Sequence, residues 1–287
     1  MSSKIGVIGG SGLYQIDGVV GIQEVAVKTP FGDPSDVFMT GMLEGAPVVF
    51  LPRHGRGHRI SPSEINNRAN IWAMKKLGVD AIIAVSAVGS LQLHIKPMDF
   101  VVPDQFIDRT ASRRHSTFFE GGIVAHVPMA DPVSEEIADI LYDACEEAGL
   151  TVHKNGTYLN MEGPQFSTKA ESTLYRSWGC DIIGMTNLPE AKLAREAEIS
   201  YATLAAVTDY DCWHHSHDAV TVEMIMDFLD KNIGNTRRIL KAALPRAAAL
   251  TKFSAAHALK CAIMTNSAMI PDQKKKDLDI IIGKYIR

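Results

Sequence analysis

Short runs of apolar residues alternate along this chain with segments that carry clear helix-start signals. The runs at 81–85 (A-I-I-A-V) and 202–207 (A-T-L-A-A-V) lack regular polar alternation, which is typical of strands covered on both faces. Between such runs, S-P-S-E at 61–64 and T-K-A-E at 168–171 have the pattern of a capping box. This alternation of strands and helices predicts an α/β fold.

The pattern places the elements as follows. Strands are predicted at 4–8, 23–27, 37–42, 48–51, 81–86, 100–102, 156–161, 182–185 and 202–207. Helices are predicted at 61–77, 134–149, 168–178, 189–198 and 221–244, the last ending at Pro245. No shift in composition divides the chain, so we expect a single domain over 1–287, with 245–287 as a C-terminal helical extension.

Composition excludes several classes of protein. The chain has 287 residues and a net charge of −4, which disfavours a general nucleic-acid surface. No apolar stretch approaches the ~18 residues of a membrane span, and the opening M-S-S-K-I-G-V lacks a signal-peptide block, so we expect a cytoplasmic protein that binds no membrane. The four cysteines are widely spaced and are expected to be reduced thiols, most of them in the core.

Three strand ends carry groups that bind anions. Gly9-Gly10-Ser11-Gly12 follows the first strand and offers backbone amides and a hydroxyl, although a plain tight turn has the same signature. Arg53 and His54 open the run R-H-G-R-G-H-R, which favours an oxyanion site or is a solvated basic loop. Ser86 ends another strand, where ligands of open α/β folds bind. Each feature alone is also compatible with an ordinary strand–turn.

Two further turns present candidate ligand groups. Gly163-Pro164-Gln165-Phe166 lies between a strand and a capped helix, and a flat heterocycle could stack on Phe166. A core aromatic residue under a turn is an equally good reading. The segment Gly184-Met185-Thr186 is another strand end that carries a hydroxyl.

Asp209 and Asp211 stand at alternate positions where an apolar strand ends. In extended backbone such residues point the same way, roughly 6.5–7 Å apart, and two carboxylates so placed repel each other. They could bind a divalent metal, form a glycosidase pair, or hydrogen-bond a purine edge with one acid protonated. The metal reading would draw on nearby Cys212, His214, His215 and His217, which lack the helical i, i+4 spacing of zinc ligands.

Taken together, these motifs resemble the 5'-methylthioadenosine phosphorylases of the purine nucleoside phosphorylase superfamily. The matching segments are G-V-I-G-G-S-G-L, T-P-F-G-D-P-S-D, R-H-G-R-G-H, N-R-A-N-I-W-A, G-S-L, D-Q-F-I-D-R-T, H-V-P-M-A-D-P, E-G-P-Q-F-S-T-K-A-E-S and V-T-D-Y-D-C-W. The matches extend from about Gly6 to Ile225 in the same order.

The resemblance implies a nucleoside phosphorylase-like α/β domain with a central mixed sheet, assembled as a homotrimer or a hexamer. It implies that methylthioadenosine and phosphate react to adenine and 5-methylthioribose 1-phosphate, with inorganic phosphate as co-substrate and with neither cofactor nor metal. It also implies site residues. These are Ser11, Arg53, His54, Ser86, Ala87 and Thr186 for phosphate; Met185 for ribose; Phe166 and Ile183, with Asp209 and Asp211 as catalytic acids, for the base; Val222 and Ile225 for the methylthio group; and His126 from a neighbouring subunit.

Several rival functions remain at this stage. Two aspartates suggest a 6-amino purine, but a 6-oxopurine nucleoside such as methylthioinosine, or 5'-deoxyadenosine, is an alternative substrate. A hydrolase would use water in place of phosphate. A nucleoside sensor would bind without turnover. The apolar residue Val222 favours the methylthio group, and an apolar pocket rejects an added hydroxyl by only ~10²-fold, so adenosine is expected to be a poor substrate.

Overall fold

A computed structural model describes residues 2–10, 18–110, 114–214 and 222–286 of the chain. None of the helices in these ranges combines the length and apolar character that a membrane span requires. All four cysteines are free thiols; Cys145 and Cys180 are buried, Cys212 is half-buried and Cys261 is exposed. Only two of the four lie in the core, so the prediction that most of them do is wrong.

The elements follow the predicted alternation. The strands are β1 (Ile5–Gly9), β2 (Val19–Val25), β3 (Phe38–Leu43), β4 (Ala46–Pro52), β5 (Ala81–Ser90), β6 (Phe100–Val102), β7 (Gln105–Arg109), β8 (Val152–Lys154), β9 (Thr157–Met161), β10 (Ile182–Gly184) and β11 (Ser200–Asp209). The helices are α1 (Asn67–Lys76), α2 (Glu135–Glu147), α3 (Lys169–Ser177), α4 (Glu190–Glu196), α5 (Val222–Ala248), α6 (Asp272–Asp277) and α7 (Asp279–Ile286).

The strands form one mixed sheet of eleven, with β5 at its branch point. One edge of β5 pairs with β11 along almost its whole length. The other edge pairs with β1 over Ala81–Ala84 and then with β10 at Gly89 and Ser90. Between these two partners, residues 85–88 of β5 face an opening in the sheet. A mixed sheet flanked by helices confirms the predicted fold class.

Helices cover both faces of this sheet. On one face, α2 and α5 pack against β1, β4, β5, β6 and β11 around Leu141, Leu204 and Leu240. On the other face, α1, α4 and α7 pack with the loop at 118–123. Burial on both sides explains why β5 and β11 read as continuous apolar runs.

Several sequence predictions differ from the structure. The capping box at Ser61 and Glu64 forms but opens only a 3₁₀ turn; Ile65 is extended, and Asn66 caps a new helix, α1, by accepting from the Ala69 amide. Helix α5 does not end at Pro245 but continues to Ala248. Strands β7 and β8 were not predicted; they are short and lack a continuous apolar run.

The segment after α5 is partly helical. Residues 249–266 form turns, and α6 and α7 occupy 272–286. Glu198, buried in the turn between α4 and β11, accepts hydrogen bonds from the Leu259 amide (3.2 Å) and the Tyr285 hydroxyl (2.5 Å). Its other carboxylate oxygen pairs with Lys284 Nζ at 2.5 Å. These contacts hold the segment against the end of α4. That residues 245–287 form an extension of a single domain stays a prediction.

Candidate active site

The opening in the sheet brings several predicted residues together. Arg53 follows the end of β4, Ser86 and Ala87 lie on β5 between its two partners, and Thr186 follows β10. Ala87 is exposed although its neighbours Ser86 and Val88 are buried. An exposed position in the middle of a central strand marks a cavity that the protein itself does not fill.

Arg53 is fully buried and bound to a buried acid. Its Nε and Nη2 donate to the two oxygens of Glu190, each at 2.9 Å, so the carboxylate takes the bidentate face of the guanidinium. Nη1 donates to the Val85 carbonyl at 3.1 Å and Nη2 to the Ile8 carbonyl at 3.4 Å. Of the five N–H groups of arginine, the contacts within the described residues leave one on Nη1 for a ligand.

Glu190 therefore sets both the charge and the orientation of Arg53. It also accepts from the Tyr201 hydroxyl at 2.9 Å. The reading of residues 53–59 as a solvated loop holds only for its second half: Arg53 and His54 are buried, whereas Arg56 and Arg59 are exposed.

His54 is a neutral imidazole in this environment. Burial is the main cause that lowers its pKa to about 4, and the nearby charge of Arg53 contributes. Its Nδ1 lies 2.8 Å from the Ile60 carbonyl, and since a carbonyl only accepts, Nδ1 carries the hydrogen. The ring stacks on His58 with centroids 4.3 Å apart. Nε2 is thus left as an acceptor in the neutral ring.

Three hydroxyl groups form a buried cluster at the opening. Ser86 Oγ lies 3.0 Å from the Tyr158 hydroxyl and 3.3 Å from Thr186 Oγ1. Ser86 and Thr186 come from β5 and from the turn after β10, and Tyr158 comes from β9 behind them. Hydroxyl groups and a guanidinium N–H around one cavity form a site that can bind an oxyanion.

A bulge in β11 directs Asp209 toward the face of the sheet on which Ala87 lies. Val207 pairs with Val88, and the next pair is Asp209 with Gly89, so Thr208 is the extra residue. Side chains alternate along a strand, and a bulge shifts this alternation by one. Asp209 therefore shares the face of Ala87 and not that of Val207, which is buried in a core cluster with Val88.

The two acids converge on Gly89. A β-carbon at this glycine would lie 3.0 Å from Asp209 Oδ1, 3.2 Å from Ile183 Cγ2 and 3.4 Å from Asp211 Cβ. A side chain here would crowd Asp209 and Ile183 and touch Asp211, so glycine keeps this end of the cavity open. The structure thus brings together Asp209, Asp211 and Ile183, as the resemblance implied.

Both acids have raised pKa values. Burial is the largest cause for Asp209, raising its pKa to about 6; the charge of Asp211 adds to this and a 2.7 Å hydrogen bond from the Thr208 hydroxyl opposes it. Burial also raises the pKa of Asp211, and contacts of its carboxyl with the Ser172 hydroxyl and the Cys212 amide oppose this rise. Mutual repulsion, the cause expected from sequence, is secondary. Asp211 Oδ2 is buried and has no hydrogen-bond partner within the described part of the chain.

The turn that carries Asp211 is fixed to its surroundings. Trp213 Nε1 donates to the Ser90 carbonyl at 2.8 Å, and the Arg176 guanidinium lies 3.5 Å from the centre of the indole ring. Cys212 Sγ lies 3.2 Å from the Ser167 carbonyl, next to Phe166. Phe166 is 50% exposed, which rules against the core-aromatic interpretation and leaves its ring available for stacking.

Arg114 joins the turns that carry Met185 and Phe166. Its Nη1 donates to the carbonyls of Met185 (2.7 Å) and Leu188 (3.0 Å). Its Nε donates to the Glu162 carboxylate at 3.0 Å, and its Nη2 donates to the Glu162 carbonyl. One buried side chain thus holds the segments after β9 and β10 in fixed relation.

The remaining predicted residues are placed less completely. Ser11 lies outside the described residues, as do the side chains of Val222 and Ile225 in the first turn of α5. His126 is exposed, and its amide donates to the Ala262 carbonyl at 2.9 Å. No cluster of metal-binding side chains forms among the described residues; His214 stacks on Tyr210, and His215 and His217 lie outside the described ranges.

Sequence reasoning missed Glu190, Tyr158 and Arg114. Glu190 reads locally as an acid in the first turn of a helix, and Tyr158 as an ordinary strand residue. The only available signal was for Arg114, one of two adjacent arginines in a slightly acidic chain. All three act through partners far away in sequence.

Comparison with known proteins agrees with this geometry. Residues 4–245 match the model of the family described as the phosphorylase superfamily. The chain belongs to this superfamily.

Within it, the chain is similar to S-methyl-5'-thioadenosine phosphorylases. The protein of that name from Geobacter sulfurreducens is 55% identical, with 100% of both chains covered. A methylthioadenosine phosphorylase from an antarctic soil metagenomic library has a TM-score of 0.93 at 50% identity, covering 98% of this chain and 99% of the other. A point mutant of the Schistosoma mansoni adenosine/methylthioadenosine phosphorylase, in complex with methylthioadenosine, has a TM-score of 0.83 at 38% identity, with 94% and 99% covered.

Proposed function

We infer that this chain catalyses the phosphorolysis of 5'-methylthioadenosine to adenine and 5-methylthioribose 1-phosphate. The observation that carries this inference is the pairing of two sites along one stretch of β5, at the opening in the sheet. Ser86, Ala87 and Thr186 line an opening beside the buried Arg53, and Asp209 and Asp211 converge on Gly89 two residues further along β5. A sugar between these sites would have an anion on one side and a base on the other.

Asp209 is the proposed proton donor to the leaving base. Cleavage of an N-glycosidic bond places negative charge on the purine, and a carboxylic acid beside a ring nitrogen can neutralise it. A pKa of about 6 keeps a fraction of Asp209 protonated near neutrality. Proton transfer of this kind typically contributes ~10²–10⁴-fold to the rate.

Asp211 is the proposed acceptor from the 6-amino group. Its Oδ2 is buried and unpartnered within the described residues, which is unfavourable unless a ligand donor or a proton occupies it. A 6-oxopurine would present an acceptor to the same oxygen. Ile183 and the exposed ring of Phe166 offer apolar surface for the flat faces of the base.

Phosphate is the proposed nucleophile, so the protein needs none of its own. Ser86, Thr186 and the free N–H of Arg53 would hold it beside C1' of the sugar, with His54 and Ser11 completing the set implied by the resemblance. Ala87 leaves room for the phosphate next to the backbone of β5. Positioning and charge stabilisation would supply most of the remaining acceleration.

The sugar would lie against Met185, with its methylthio group toward Val222 and Ile225. Adenosine and 5'-deoxyadenosine would then be slower substrates, since an apolar pocket rejects an added hydroxyl by only ~10²-fold. We propose no cofactor and no metal for this chemistry, because proton transfer and an incoming phosphate account for every bond made and broken.

We further propose a homotrimer in which His126 completes the site of a neighbouring subunit. The exposed position of His126 in the single chain supports this. Near it lie Val124 and Met264, large apolar residues that are 47% and 65% exposed, and the Met264 amide donates to the Val124 carbonyl. The cytoplasm is the proposed location.

A phosphate-dependent ultraviolet assay across methylthioadenosine, adenosine, methylthioinosine and inosine tests the proposed reaction. Methylthioadenosine should be fastest, and omission of phosphate should stop the reaction. An unchanged rate without phosphate would indicate a hydrolase. Binding without turnover would indicate a sensor. Equal rates for methylthioinosine would refute the assignment of the base site.

A further inference from the structure

We propose that Tyr158 is a positioning residue for phosphate, acting from beneath the site through Ser86 and Thr186. The role rests on the proposed function. Tyr158 is fully buried, and its hydroxyl lies 3.0 Å from Ser86 Oγ, which in turn lies 3.3 Å from Thr186 Oγ1. Neither the sequence motifs nor the resemblance assigns this residue to the site.

The fold places the phenol hydroxyl with little freedom. Tyr158 pairs with Ile182 across β9 and β10, and its ring packs against Phe106 with centroids 5.8 Å apart. A β-carbon at Gly184 would lie 1.9 Å from the Tyr158 oxygen. The glycine therefore provides the space in which the hydroxyl reaches the Ser86–Thr186 pair.

The direction of the hydrogen bonds follows from the groups around the phenol. Its oxygen lies beside the hydroxyls of Ser86 and Thr186 and beside the Thr186 amide, and the amide can only donate to it. Burial is the main cause that raises the pKa of Tyr158, so the phenol keeps its hydrogen and donates it. A hydroxyl that accepts from below is free to donate upward, and accepting a hydrogen bond makes it a stronger donor.

Tyr158 has one hydrogen to donate, and donating it to Ser86 Oγ at 3.0 Å makes Ser86 a donor toward the cavity, where an anion needs one. With phenylalanine at 158, the serine oxygen would lose its buried partner whenever it donated to phosphate. A lost neutral hydrogen bond of this type corresponds to about a five- to tenfold change in a binding constant. The effect should fall on phosphate, since no described contact links Tyr158 to Asp209, Asp211 or Phe166.

The test is steady-state kinetics of Tyr158→Phe with phosphate and methylthioadenosine varied in turn. The phosphate KM should rise about five- to tenfold, with the methylthioadenosine KM within about twofold of the wild-type value. Tyr142→Phe is the matched control, because Tyr142 bonds Glu146 on the surface of α2. Phosphate should also raise the Tm of the wild-type protein more than that of Tyr158→Phe.

Incorporation of 3-fluorotyrosine at 158 is the conservative rescue, because it retains the ring and a more strongly donating hydroxyl. Its phosphate KM should stay at or below the wild-type value. An unchanged phosphate KM in Tyr158→Phe, or a parallel rise in both KM values, would overturn the role. If Tyr158→Phe does not fold, the fluorinated protein provides the test, and a phosphate KM above the wild-type value would overturn the role of Tyr158. A wild-type rate independent of phosphate would instead refute the proposed function itself.

Discussion

The two halves of the candidate site are built in opposite ways. On the anion side, Arg53 is fully buried, and four of its N–H groups already donate to Glu190, Val85 and Ile8. On the base side, Asp209 and Asp211 have raised pKa values, and Asp211 Oδ2 is unpartnered among the described residues. On the anion side, the charge of Arg53 is balanced and most of its N–H groups are bonded without a ligand. On the base side, one carboxylate oxygen still has no hydrogen-bond partner among the described residues.

The difference reflects what each half must do. An anion site needs fixed donors, and a buried arginine is tolerated only when an acid compensates it. A proton donor needs the opposite environment, since complete bonding of its carboxylate would lower its pKa and remove the proton. Structural stability should therefore depend on the anion side and proton transfer on the base side.

The largest effect is expected from Asp209→Asn. An amide cannot transfer a proton to the base, so kcat/KM for methylthioadenosine should fall by ~10²-fold or more. The phosphate KM should change little, because the described contacts of Asp209 are on the base side. Initial rates with each substrate varied measure both constants. An unaffected kcat would refute the proton-donor role of Asp209. It would also remove the proposed functional difference between the anion side and the base side.

Glu190→Gln should damage the anion side and the fold together. It leaves a buried guanidinium without its counter-charge, which should lower the free energy of unfolding by about 3 kcal/mol and raise the phosphate KM. Urea denaturation and kinetics measure the two effects. The control is Glu24→Gln, which breaks the exposed pair with Arg56 and should cost at most about 0.5 kcal/mol. Equal losses in the two variants would contradict the proposed contrast.

The raised pKa of Asp209 should make the free energy of unfolding depend on pH. The folded pKa of Asp209, about 6, is raised above its ordinary value of 3.8, so its stabilising contribution is complete below 3.8 and is lost as pH rises through about 6. At pH 8, Asp209→Asn should therefore be about 1–3 kcal/mol more stable than the wild type. Near pH 4 the two should unfold alike. A difference that does not vary with pH would argue against a raised pKa.

The smallest effect concerns His54. The neutral ring of His54 donates through Nδ1 to the Ile60 carbonyl, so its Nε2 carries no hydrogen. A hydrogen bond between Nε2 and a phosphate oxygen therefore needs one more proton. Either the phosphate carries this proton, or the ring takes it up next to Arg53 and His58. Phosphate binding at pH 8 should then take up about one proton. Calorimetry in buffers of different ionisation enthalpy measures this uptake. His54→Gln, whose amide donates directly, should abolish it; uptake retained in that variant would place the proton elsewhere.

Much of the fold could be predicted because β5 and β11 are buried on both faces and therefore appear in the sequence as continuous apolar runs. The failures have local causes. The capping box at Ser61 does form, but it serves a single 3₁₀ turn, and the stronger start is the Asn66 cap. Pro245 was taken as a helix end, whereas α5 passes through it and packs Ala247 into the core.

The site was predictable only where its residues occupy strand ends. Thr186 and the two aspartates stand at or just after strand ends, and a turn displays Phe166. Ser86 was predicted to end a strand, but β5 continues to Ser90 and Ser86 lies in its middle. Glu190 and Tyr158 could not be found this way, because their significance lies in which distant side chain they contact. The principal cause of the raised pKa of Asp209 was also hidden, since burial depends on packing around the finished cavity.

The single extra residue in β11 has a consequence for how this chain tolerates changes in length. Deleting Thr208 would remove the bulge, and Asp209 would then follow Val207 directly and keep its place opposite Gly89, on the face of Ala87. If Thr208 were instead paired regularly with Gly89, Asp209 would come one position later and point into the interior beside Val207. Catalytic competence therefore depends on the parity of the residues that pair along β11, and the bulge is the one position in this strand where a residue can be lost without changing that parity.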